Sequence, residues 1–208
     1  MRLRINIIEG AAILLVIIIA AVLFLYGGPK PYPTDKVVVA FGDSLTRGYG
    51  TVSPDKNFVT YLSEYTKINI INAGVTGNTT SDALIRLKSN VLDYHPDIVI
   101  LLFGGNDYFD GYSEEVILAN MRAIIKAIRK EGAKIILLGG NDKFAPAYEK
   151  VFEKLVAEYD IEGYVPNVLR GVSLRRDLLF DEVHPNGKGH KVIADMILPV
   201  LAKVLREL

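Results

Sequence analysis

From residue 36 onward the chain alternates two hydrophobic patterns. Short, β-branched apolar runs occupy 37–41, 68–71, 98–103 and 135–138, with a weaker one at 164–165. Unbroken apolar runs of this length suit strands buried on both faces. Between them, apolar residues recur at helical spacing. The stretch 79–94 carries Leu84, Leu87, Val91 and Leu92, and 113–130 carries Val116, Ile117, Met121, Ile124, Ile125 and Ile128. The second opens on Ser113-Glu114-Glu115, an N-cap followed by an acidic first turn. Stretches 148–159 and 188–208 repeat the pattern, with Pro199 expected to kink the last helix. This alternation predicts an α/β domain built on a parallel sheet covered on both faces.

The N-terminus follows a different pattern. The run AAILLVIIIAAVLFLY at 11–26 has no polar face, and it extends upstream through Ile7 and Ile8 and downstream through Gly27 and Gly28. Its length approaches the roughly 17–25 residues of a membrane-spanning helix. Arg2, Arg4 and the terminal amine precede it, which favours a cytoplasmic N-terminus. The expectation is an uncleaved signal anchor over 1–28. It would place a single-pass protein in the cytoplasmic membrane with its main domain on the extracytoplasmic side. Cleavage and secretion are the second reading, although LYGGPKP is a poor small-x-small site. A buried core helix comes third. Pro29, Pro31 and Pro33 make 29–35 a short, stiff linker, leaving 36–208 as the main domain.

Composition narrows the chemistry. Lys plus Arg and Asp plus Glu number 24 each, so no basic face points to nucleic acid. There is no Cys, which excludes disulfides and thiolate metal sites.

Each unusual polar cluster follows a strand run, where ligand sites form in parallel sheets. Ser44, in GDSLTRG after the first run, is placed to expose a hydroxyl at the mouth of such a site. Taken alone, it reads equally well as a helix N-cap. A nucleophilic serine needs a base and a group to orient that base. Of the three histidines, His95 reads as a loop residue and His190 as a structural residue of the last helix. His184 has Asp181 three residues before it, in DEVH. That spacing lets the carboxylate reach Nδ1 and leave Nε2 facing outward.

Acyl transfer also needs donors for an oxyanion. The Ser44 N–H is one, the N–H of Gly77 after the second strand is another, and an Asn amide is a third. GGND occurs twice, with Asn106 and Asn141. In a flavodoxin-like sheet of order 2-1-3-4-5, the loops after strands two and three flank the loop after strand one. The loop after strand four lies two spacings away, near 10 Å at ~4.8 Å each. That order favours Asn106 and leaves Asn141 as a turn residue.

FGDSLTRGYG, NAGVTGNTT, FGGND and DEVHPNGKGH, in this order, resemble the SGNH (GDSL) hydrolase family over roughly 36–200, nearest to its arylesterase, lysophospholipase and acyl-thioesterase branch. The resemblance implies a three-layer α/β/α sandwich with no metal and no cofactor. It implies Ser44 as nucleophile, His184 as base supported by Asp181, and Ser44, Gly77 and Asn106 as the oxyanion hole. It leaves Asp43 and Asp107 to structure their loops. Asn78 stands where relatives often carry Asp. Thr46 replaces the second glycine of G-x-S-x-G, which argues against an α/β-hydrolase fold.

The function expected is hydrolysis of carboxylic esters or thioesters of acyl chains, with a small-molecule or lipid acyl ester as substrate. Tyr108, Phe109 and Tyr112 are candidates for lining an acyl pocket, or else ordinary surface or core aromatics. The alternative is an O-acetylesterase acting on cell-envelope glycans. A non-catalytic binding domain is disfavoured because every expected group is present.

Overall fold

The computed structural model describes residues 32–140 and 146–208, together with Leu15. Its centre is a parallel five-stranded sheet in the order β2-β1-β3-β4-β5. The strands are β1 (Val38–Gly42), β2 (Ile70–Gly74), β3 (Ile98–Leu102), β4 (Lys134–Leu138) and β5 (Gly163–Val165). The helices are α1 (Ser44–Arg47), α2 (Phe58–Thr66), α3 (Thr80–Asn90), α4 (Gly105–Phe109), α5 (Glu114–Lys130), α6 (Pro146–Tyr159) and α7 (Gly187–Arg206).

The strand order dictates the layers. The step from β1 to β2 runs one way along the sheet, and every later step runs the other way. Parallel crossovers are right-handed, so α2 must cover one face and α3, α5 and α6 the other. The two cores follow this division. Val38, Ala40, Ile98 and Ile100 pack with Phe58 and Leu62 of α2 and with Ile193, Ile197 and Leu201 of α7. Val39, Phe41, Val99 and Leu101 pack with Leu87 of α3, Ile117, Met121 and Ile124 of α5, and Phe152 of α6. Successive strand residues point to opposite faces, so both faces are apolar and the runs read as continuous. The result is the three-layer α/β/α sandwich with sheet order 2-1-3-4-5.

The register aligns the functional ends. Gly42 of β1 lies beside Gly74 of β2 and Leu102 of β3. The loops after these three strands therefore leave the sheet at one level, with the β1 loop in the middle.

The structure differs from the sequence pattern in several elements. β2 runs to Gly74, so Asn72, Ala73 and Gly74 extend a strand where a polar loop was expected. Asn72 is accommodated because its Nδ2 donates to the Thr46 carbonyl at 2.8 Å and its Oδ1 accepts from the Gly74 N–H at 3.0 Å. A Cβ on Gly74 would lie 2.2 Å from the Arg47 nitrogen, so only glycine lets α1 sit against the strand end. The helix expected over 79–94 stops at Asn90, where Val91 leaves helical geometry (φ −135, ψ −62), and a single 3-10 turn, Leu92–Tyr94, follows. Helix α2 was not evident in the sequence pattern. Asn57 starts it by accepting from the Thr60 N–H at 3.0 Å, and Phe58, Val59 and Leu62 provide its buried side.

The expected transmembrane helix is corrected. Among the described residues, no helix is long and apolar enough to cross a membrane. The longest, α7, is interrupted by Lys188, Lys191, Asp195, Lys203 and Arg206. The single-pass location in the cytoplasmic membrane, with an extracytoplasmic catalytic domain, loses its support with that helix, as does the membrane as a partner. The run 11–26 on which they rested lies, apart from Leu15, outside the described residues.

Candidate active site

Ser44 is the first residue of α1, and its neighbours explain how it gets there. A Cβ on Gly42 would lie 2.7 Å from the Leu102 carbonyl oxygen, so glycine is what lets β1 end this close to β3. Asp43 then caps α1 by accepting from the Leu45 N–H at 2.9 Å. The capping role therefore belongs to Asp43, and the Ser44 hydroxyl is left for another partner. Gly48 closes α1 in the left-handed region (φ 87), and its N–H donates to the Ser44 carbonyl. Ser44 is held from both sides and is 7% exposed.

Its hydroxyl partner is His184, whose Nε2 lies 3.0 Å from Ser44 Oγ. On the far side of the ring, Nδ1 lies 2.8 and 3.0 Å from the two Asp181 carboxylate oxygens. Asp181 is itself fixed, because its Oδ1 accepts the backbone N–H groups of Val183 at 2.9 Å and His184 at 2.7 Å. Desolvation opposes ionisation of Asp181. The two backbone donors and the imidazole outweigh it, so its pKa falls below the ordinary carboxylate value. Asn186 sets the loop's other end, capping α7 through the N–H groups of Lys188 and Gly189 and donating to the carbonyls of Asp177 and Leu179. The ring of Tyr49 packs edge-on against His184, with centroids 4.6 Å apart.

The other histidines lie apart from this trio. His95 ends the 3-10 turn in left-handed geometry (φ 48). His190 is buried in α7, stacked on Phe58 with centroids 6.2 Å apart. Burial lowers its pKa to about 4, which keeps it neutral.

The flanking loops lie where the sheet order puts them. Gly77, after β2, has φ +81, and a Cβ there would meet open space. Asn106, after β3, is in the first turn of α4, and its Nδ2 donates to the Asn78 carbonyl at 2.8 Å. The two loops are thus joined. Asp107 strengthens the join: fully buried, it accepts from the Thr80 N–H at 2.9 Å and from the Thr80 hydroxyl. Asn120 of α5 donates to the same hydroxyl at 3.0 Å. Asn141 lies outside the described residues.

A cavity of about 200 Å³ opens beside Ser44 and His184. Leu102, Phe103, Phe152, Val168 and Leu169 form its apolar interior, with Tyr108 and Phe109 also on its wall. Tyr112 is not among the lining residues; it is exposed nearby on the loop after α4. Val168 and Leu169 follow β5 and carry no sequence signal for this position. Among the described residues, no cluster of His, Cys, Asp or Glu is suited to hold a metal ion.

Asp43 also borders the cavity. Burial raises its pKa from 3.8 to about 7; the Leu45 N–H and Arg86 work against the rise, and the charge of Asp107 adds to it. The folded protein thus keeps a proton that the unfolded chain releases near 3.8. That contribution to stability is complete below the unfolded pKa and is lost as pH rises through about 7. Asn also caps helices, so Asp43→Asn should remove this pH dependence while keeping α1. Urea midpoints at pH 4.5 and 8 should show the wild type losing a few kcal/mol relative to the variant, at roughly 1.4 kcal/mol per pKa unit. Parallel pH profiles for the two proteins would contradict the assignment.

A parallel α/β/α sandwich with a serine, histidine and aspartate in hydrogen-bonded series at its carboxyl edge defines a class of hydrolases, and comparison with known proteins agrees. The model of the GDSL-like lipase/acylhydrolase family matches residues 40–192. An arylesterase of Vibrio mimicus is 26% identical over 201 residues, covering 90% of this chain and 98% of that protein. The thioesterase 1/protease 1/lysophospholipase L1 of Escherichia coli K12 is 26% identical over 167 residues, covering 76% and 79%. The crystal structure of AlinE4, an SGNH-hydrolase family esterase, superposes with a TM-score of 0.63 at 32% identity, covering 81% of this chain and 95% of that one. The chain belongs to the GDSL-like lipase/acylhydrolase family. It is an ester hydrolase of the GDSL/SGNH type.

Proposed function

We propose that residues 36–208, preceded by the linker 29–35, form an acyl-ester and thioester hydrolase domain that works through an acyl-enzyme on Ser44. The observation that carries this reading is the 3.0 Å contact between Ser44 Oγ and His184 Nε2 beside an apolar cavity. In the first half-reaction, Ser44 Oγ attacks the acyl carbonyl carbon while its proton passes to His184 Nε2. Asp181 holds the ring and stabilises the imidazolium. The carbonyl oxygen takes up the negative charge, which the N–H groups of Ser44 and Gly77 and the Asn106 amide would stabilise. The tetrahedral intermediate collapses, the bond to the alcohol or thiol breaks, and His184 returns the proton to the leaving group. Water then repeats the sequence on the acyl-enzyme and releases the acid.

The cavity supports acyl chains longer than acetyl as substrates. Its interior offers carbon, and its polar groups gather at the Ser44 end. Burying each CH₂ contributes about 0.8 kcal/mol, or ~4-fold in kcat/KM for each methylene seated. The test is a series of p-nitrophenyl esters from acetyl to palmitoyl. Rates should climb with chain length until the cavity is filled and then level or fall. Activity confined to the acetyl ester would reject an acyl pocket and favour the glycan O-acetylesterase reading.

A further inference from the structure

Arg86 points back from α3 to the carboxyl edge of the sheet and binds three separate pieces of it. Its Nη2 donates to the Gly42 carbonyl at 2.8 Å, at the end of β1 just before Asp43 and Ser44. Its Nη1 donates to the Ala73 carbonyl at 2.8 Å, at the end of β2. Its Nε donates to the Asn78 side-chain oxygen. The guanidinium also lies 4.4 Å from the centroid of the Phe41 ring and 5.7 Å from that of Phe103.

Asn78 is the connecting residue. Its side chain accepts from Arg86, and its backbone carbonyl accepts from the Asn106 amide at 2.8 Å. It also directly follows Gly77. The exposed turn 75–78 is otherwise lightly held by the Val75 N–H to the Gly42 carbonyl and the Asn78 N–H to the Val75 carbonyl. One planar cation thus fixes the strand end that leads to Ser44 and the loop that carries Gly77. Through Asn78 it also meets the acceptor that orients Asn106.

We propose that Arg86, acting through Asn78, is the positioning residue that sets the Gly77 and Asn106 donors relative to Ser44, an inference that rests on the oxyanion-hole reading above. Three acceptors in three directions require a fork, so a lysine, with a single ammonium, cannot replace it. Misplacing catalytic groups by about an ångström costs up to ~10²-fold in rate. The loss should fall on kcat, because the charge being stabilised exists only beyond the ground state.

The test is a double-mutant cycle on the full chain with p-nitrophenyl butyrate. Arg86→Lys should lower kcat by ~10–100-fold with KM within about twofold. Asn78→Ala, on the loop rather than in the helix, should do the same, and Asn78→Asp, which keeps the acceptor, should restore most of the rate. Asn106→Ala should cost ~10²–10³-fold in kcat. Adding Arg86→Lys to it should cost less than in the wild type, because the Asn106 donor is already gone and only the placement of Gly77 is left to lose. The proposal is overturned if Arg86→Lys keeps wild-type kcat, if its loss appears in KM, or if the two losses multiply in full. A wild-type kcat for Asn106→Ala would instead remove the oxyanion reading itself.

Discussion

Replacing Ser44 with alanine should reduce kcat on p-nitrophenyl esters by ~10³-fold or more while the protein stays folded. The size follows from the proposed role: without Oγ no acyl-enzyme could form, and His184 would have only water to activate. The fold should survive because Ser44 contributes little to it. Asp43 caps α1, and the backbone carbonyl of Ser44, which receives the Gly48 and Tyr49 N–H groups, is retained in alanine. Ser44 is buried but borders the cavity, so losing one hydroxyl only enlarges a space that already exists. Urea melts of the two proteins should overlie, and the burst of p-nitrophenol that marks acyl-enzyme formation should vanish in the variant. Substantial hydrolysis by Ser44→Ala would show that the nucleophile is elsewhere.

Asp181→Asn should be almost as damaging, with a loss of ~10²–10⁴-fold in kcat. Asp181 is the only group that this structure brings to His184 Nδ1 by hydrogen bonding among the described residues. The Asp181 oxygen nearest the backbone also receives the Val183 and His184 N–H groups, so an asparagine would turn its oxygen toward them. Its NH₂ would then face Nδ1. A donor there favours the tautomer with its proton on Nε2, which cannot accept from Ser44. The lowered pKa of Asp181 means the wild-type carboxylate stays charged throughout the neutral range. The loss should therefore not be recovered by moving to another pH between 6 and 8. An Asp181→Asn enzyme within about tenfold of wild type would show that His184 is oriented by packing, such as against Tyr49, rather than by the carboxylate.

Much of this arrangement was legible in the chain because it depends on local order. Ser44 follows β1 by two residues, and Asp181 and His184 share one loop. Backbone N–H groups of that loop hold the carboxylate, so three-residue spacing suffices to predict a contact with Nδ1. The preference for Asn106 over Asn141 came from strand order, and the observed order places the Asn106 loop directly beside that of Ser44. The cavity was only half legible. Tyr108 and Phe109, within α4, are on its wall, whereas Tyr112, beyond the end of that helix, is not among the lining residues.

Arg86 gave no signal, since its partners are two backbone carbonyls and an amide that are remote in the chain. On a helical repeat, an arginine between Ile85 and Leu87 reads as a solvated position. Asp43 reads in the sequence as a loop residue, but its raised pKa arises from burial, with the charge of Asp107 adding to it. The N-terminal run illustrates the opposite error. Hydropathy alone suggested a membrane span, yet no described helix meets the requirement.

Periodicity thus determined the alternation of strands and helices, and short motifs named the candidate reactive groups, because both are properties of neighbouring residues. Folding decided which distant groups meet: Val168 and Leu169 in the cavity, Arg86 on three strand and loop ends, and a buried carboxyl of raised pKa beside the serine. Those contacts depend on burial and on the level at which separate strands end, and neither is recorded in the order of residues along one segment.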